Sequence, residues 1–110
     1  MYALSPLDGA IEWKVQADSM VQSSPAIGAS GEIYFSSFKS SLYSVEAASG
    51  VVRWVASLGA ESFSSPALGW RGLYLGANGG VRGGLHAFVA IPPSPSPHSS
   101  IQVEENRARW

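Results

Sequence analysis

Apolar and polar residues alternate in short runs along this chain, and glycine or proline interrupts the pattern every 8 to 12 residues. No segment carries the i, i+3, i+4, i+7 apolar spacing of an amphipathic helix. Period-2 alternation bounded by turn residues predicts strands instead. The pattern predicts strands over 23–29, 32–38, 41–47 and 51–57, with turns at Ser30-Gly31 and Ser49-Gly50. Further strands start near Ser64, Leu73 and Leu85, and residues 1–17 hold two more.

These strands recur. A shift of 41 residues places Tyr2 on Tyr43, Gly9 on Gly50 and Trp13 on Trp54. It also places Ser23-Ser24-Pro25-Ala26 on Ser64-Ser65-Pro66-Ala67, Gly28 on Gly69 and Gly31 on Gly72. One deletion after Gly72 brings Tyr34 onto Tyr74, and Leu85-His86-Ala87-Phe88 opens a third copy matching Leu42-Tyr43-Ser44-Val45. A period near 40 residues with four short strands suits an antiparallel propeller blade. The expected fold is all-β, with one complete and two partial four-stranded blades over residues 1–91 that do not close a ring by themselves.

In the recurring columns, Tyr2-Ala3-Leu4, Gly9, Trp13, Ser23-Ser24-Pro25-Ala26, Gly31 and Tyr34 resemble the pyrroloquinoline-quinone (PQQ)-like propeller repeat, and the second copy repeats them. The resemblance implies that the Trp of one blade docks against the next. Gly9, Trp13, Gly50 and Trp54 would be the blade-docking residues. The family's Asp is replaced by Ser5 and Glu46, and its Thr by Asp8 and Ser49. Members of this family include quinoprotein dehydrogenases and outer-membrane assembly lipoproteins, and similar repeat proteins are often periplasmic or extracytoplasmic. Two functions follow as expectations. The first is a non-catalytic binding or assembly scaffold; the alternative is a piece of a PQQ-dependent alcohol or sugar dehydrogenase.

Composition narrows the choice. The net charge is −1, so no basic field draws in nucleic acid. With no cysteine, the chain has no disulfide and no thiolate site. No apolar run reaches the roughly 18 residues that span a bilayer as a helix, and residues 1–15 lack the pattern of a signal peptide. The family's dehydrogenases place calcium on carboxylate and Asn ligands beside a general-base Asp. Here Asn occurs only at 78 and 106 and Asp only at 8 and 18, so no catalytic, metal or cofactor residues are assigned and no cofactor is expected. The expected partners are further blades, other copies of the chain, or another protein.

Three segments stand apart. The glycine-rich stretch from Gly76 to Gly84, with Arg82 inside it, has the makings of an anion cradle, but Asn78-Gly79 marks it as a hairpin loop. His86 occupies the column of Tyr2 and Tyr43, an aromatic packing position. Residues 92–110 hold four of the seven prolines, and Pro97 stands where a third docking Trp belongs. The outer strand of the last blade is therefore expected to be missing, and 92–110 to form a disordered tail. Met1 falls in the column of Leu42, inside a strand, which reads as the pattern of a fragment.

Overall fold

The structure is a computed structural model that describes residues 1–77, 84–88 and 103–104. All regular elements among them are strands: β1 (Tyr2–Leu4), β2 (Ile11–Lys14), β3 (Ala26–Ile27), β4 (Glu32–Ser36), β5 (Ser41–Glu46), β6 (Val52–Ser57), β7 (Ala67–Leu68), β8 (Leu73–Ala77), β9 (Gly84–Phe88) and β10 (Val103–Glu104). They form a two-stranded sheet β1-β2 and two four-stranded sheets, β3-β4-β5-β6 and β10-β9-β8-β7. Every pairing is antiparallel.

The registers follow the repeat. Ala26 faces Tyr34 and Ala67 faces Tyr74, so the one-residue deletion leaves the strand pairing unchanged. It is absorbed in the turn. Gly28 N–H bonds the Glu32 carbonyl across a three-residue loop, whereas Gly69 N–H bonds the Gly72 carbonyl across Trp70-Arg71 alone. Likewise Tyr34 faces Ser44 and Tyr74 faces Ala87, which puts His86 in the Tyr43 column.

Two expectations change. The outer strand of the last blade is present: Val103 and Glu104 pair with Phe88 and Ala87. Pro97 cannot donate to a ladder, and the chain supplies the pairing residues further on. The strand expected over 23–29 shrinks to Ala26–Ile27, because Pro25 has no N–H and Ser23 spends its side chain elsewhere. Its hydroxyl accepts the Ser36 N–H at 3.0 Å and donates to the Ser36 carbonyl at 3.1 Å, closing the start of the strand by itself.

Two apolar clusters lie on the opposite faces of β5. Tyr43 and Val45 point towards the β1-β2 hairpin and pack with Val15 and Phe35, flanked by Met1 and Trp13. Leu42 points the other way and packs with Tyr34, Leu58, Leu73 and Leu75, flanked by Trp54 and Ala56. Strand alternation thus makes one sheet the filling between its two neighbours.

Candidate functional site

The best-formed constellation is the junction between the β1-β2 hairpin and the first four-stranded sheet. Trp13 lies on β2 opposite Ala3, with its ring over the turn that joins β5 to β6. The indole N–H donates to the Ala47 carbonyl at 2.7 Å. Gly50 sits under the ring: a Cβ there would come within 2.8 Å of two Trp13 ring atoms. Its φ of +75° is also one that other residues resist. Both constraints select glycine at this position.

The turn is built twice with the same bonds. Glu46 N–H bonds Val51 O and Gly50 N–H bonds Glu46 O, just as Ser5 N–H bonds Ala10 O and Gly9 N–H bonds Ser5 O. Asp8 Oδ1 accepts from Ala10 N–H at 3.0 Å, and Ser49 Oγ from Val51 N–H at 3.3 Å. These local side-chain bonds hold the turn closed. Gly9, at φ +74°, has nothing within 4 Å of an added Cβ. Trp54 occupies the equivalent of Trp13 on β6, and its ring meets Tyr34 at 5.9 Å. The four residues therefore divide. Trp13 and Gly50 touch, Trp54 packs on the far face of the same sheet, and Gly9 is uncovered.

Sequence reasoning passed over a polar clasp beside Trp13. The Asp18 carboxylate accepts from Ser37 Oγ and Ser41 Oγ, each at 2.5 Å, and its backbone N–H donates to Tyr43 Oη at 2.9 Å. The Ser37 bond, then the Ser41 bond, holds the Asp18 carboxyl below its ordinary range. Burial pushes the Tyr43 hydroxyl up. The next copy has Gly59 in the Asp18 column, so comparing repeats hides this clasp.

Serines beside the starts of β3 and β7 join the two four-stranded sheets. Ser24 N–H donates to Ser65 Oγ, its own repeat mate, at 2.8 Å, and Ser36 Oγ donates to the Ser64 carbonyl at 3.0 Å. Arg53 bridges Glu46 at 3.3 Å and Glu32 at 3.5 Å on the sheet surface. Most of the Gly76–Gly84 stretch, Arg82 included, lies outside the described residues, as does most of 92–110; His86 is described only through its strand. Among the described residues no group of three or more His, Asp or Glu gathers as a metal site, and no helix is long and apolar enough to cross a membrane.

No family model matches the chain, and no curated protein matches it in sequence. Among solved structures, the crystal structure of BamB from Moraxella catarrhalis is similar with a TM-score of 0.62 at 18% identity. The alignment covers 74% of this chain and 24% of that one. The fold is a partial β-propeller. At this identity the likeness carries the fold alone, and the chain spans about a quarter of the length of the structure it matches.

Proposed function

We propose that these blades belong to the PQQ-like repeat family and serve as a non-catalytic binding or assembly scaffold. On this reading residues 1–91 hold the blades except for the outer strand of the last, which Val103 and Glu104 supply from within 92–110, and Gly9, Trp13, Gly50 and Trp54 are the blade-docking set. One observation carries the reading. At the junctions present, recurring residues are occupied in joining one blade to the next: Trp13 on Ala47 and Gly50, Ser24 on Ser65. A side chain engaged in packing at every blade is not free for chemistry at one. Similarity to BamB supports the scaffold reading at the level of fold.

The test is a titration of PQQ with calcium, followed by tryptophan fluorescence. A quinone bearing three carboxylates needs converging cations, and Arg53 is already held by Glu32 and Glu46. Weak, linear quenching is the expected result. Saturable, stoichiometric quenching at micromolar cofactor would overturn the scaffold reading in favour of an oxidoreductase. Light scattering after size exclusion tests the partner: the chain should self-associate at micromolar concentration, and a stable 11.6 kDa monomer with a cooperative melt would contradict that.

A further inference from the structure

Strands β2, β6 and β10 hold the fourth-strand place of the repeat, and among the described residues each ends its sheet with one edge unpaired. The register shows which backbone groups those edges present. Leu58 N–H bonds the Ser40 carbonyl, so antiparallel alternation turns the backbone groups of Trp54 and Ala56 towards β5 as well. Val55 and Ser57 turn theirs outward. Val15 N–H bonds the Met1 carbonyl in the same way, which turns Lys14 and Gln16 outward one period earlier. Both strands carry the same bulge, with Arg53 the extra residue in β6 and Glu12 in β2. Their edges are guarded differently. Lysine and other charges on an edge discourage a further strand, and β2 reads Ile11-Glu12-Trp13-Lys14. β10 has only two residues, one of them Glu104. β6 runs for six residues and sets Val55, 52% exposed, in the Lys14 column. Its one charge, Arg53, is turned onto Glu32 and Glu46 and leaves the edge bare.

We infer that the outer edge of β6 pairs with the same edge of a second copy of this chain, antiparallel and across a two-fold axis. The bulge at Arg53 ends the regular ladder, so the outward groups on offer are those of Val55 and Ser57. An axis at Ala56 sets Val55 of one copy opposite Ser57 of the other, and the reverse. Each outward N–H then meets an outward carbonyl at the same spacing. A copy suits this edge because the free stretch Trp54–Ser57 carries no charge, so pairing it with itself opposes no like charges. Ala56, small and half-buried, meets its counterpart at the axis, and two four-stranded sheets run on as one. The edge belongs to the complete blade in the middle of the chain, so neither end of the sequence creates it. The inference rests on the self-association proposed above and names its surface.

The chain has no cysteine, so a single introduced thiol reports on the axis. Ala56→Cys would put two thiols on facing residues whose Cα atoms lie about 4.5 Å apart, within disulfide reach. Mild oxidation should convert most of that variant to a covalent dimer. Val52→Cys, exposed on the same strand, should not cross-link, because its counterpart lies roughly 25 Å away. Val55→Lys, which copies the residue that β2 carries in this column, should weaken self-association about tenfold or more without lowering the melt of the dilute chain. In the unaltered protein, hydrogen exchange at the Val55 and Ser57 amides should slow as concentration rises, while Trp54 and Ala56 stay protected throughout. An Ala56→Cys chain that cross-links no faster than the Val52→Cys chain overturns the inference. So does exchange at Val55 and Ser57 that ignores concentration. Self-association that persists through either result removes this inference alone. Saturable PQQ binding with the Ala56→Cys cross-link intact removes the scaffold reading alone.

Discussion

The two junctions of the first blade are held by different chemistry. Towards β1-β2, side-chain hydrogen bonds cross the gap: Trp13 to Ala47, Asp18 to Tyr43, and Ser37 and Ser41 to Asp18. Towards the second blade, four leucines, Leu42, Leu58, Leu73 and Leu75, meet Tyr34 and the half-buried Trp54. Polar links there sit beside the starts of β3 and β7, between Ser24 and Ser65 and between Ser36 and Ser64. The shape of each junction comes from columns that recur, while the Asp18 bonds are drawn from a position that does not, since Gly59 stands in its column. One repeat can therefore tune each junction separately.

The largest effect should come from the aromatic stack on the hairpin side. Phe35 is fully buried, with its ring 4.9 Å from Tyr43 and nearly parallel to it. Phe35→Ala should cost about 4 kcal/mol in urea unfolding. Leu42→Ala, at the leucine junction, should cost about 3 kcal/mol. A loss under about 1 kcal/mol at either site would mean that the junction does not form in solution.

Trp13→Phe keeps the ring on Gly50 but removes the donor to Ala47. The expected loss is about 1 kcal/mol, the net worth of one hydrogen bond. An indole N–H that exchanges with solvent as fast as a free one in the unaltered protein would contradict that bond.

The smallest effect separates the junctions by pH. The folded Asp18 carboxyl gives up its proton more readily than the unfolded one, so its ionised form stabilises the fold. That contribution is complete above about pH 4 and fades as the pH falls through the lowered folded value. Asp18→Asn should lower the melting temperature at pH 7, with the gap closing towards about pH 2 and Leu42→Ala showing no such closure. A gap independent of pH would show that Ser37 and Ser41 do not respond to the charge.

Most of the sheet architecture is legible in the sequence because its signals are local. Alternation places β4, β5 and β6 within two residues at either end and β8 at its start, and Gly9 and Gly50 mark the turns. The short β3 is misjudged because the Ser23 hydroxyl replaces ladder bonds, which no pattern of apolar residues reveals. The last strand is misjudged because Pro97 marks where a strand cannot run without marking where it resumes. At the junction, Trp13 and Gly50 stand out as recurring, whereas Asp18 gains its role from partners 19 and 23 residues away.

The trimmed turn at Trp70-Arg71 bears on how such a chain tolerates change. Sliding a strand by one residue would exchange its two faces, and here that would swap the surfaces offered to neighbouring blades. The second copy is one residue shorter than the first, yet the missing residue came out of the tip, and Ala67 still faces Tyr74. The tip is thus decoupled from the sheet, so length and identity can drift there while the stacking surfaces stay fixed. The nearly fully exposed Trp70 stands where the first copy has Ala29, at a place where new recognition residues can accumulate without refolding the blade.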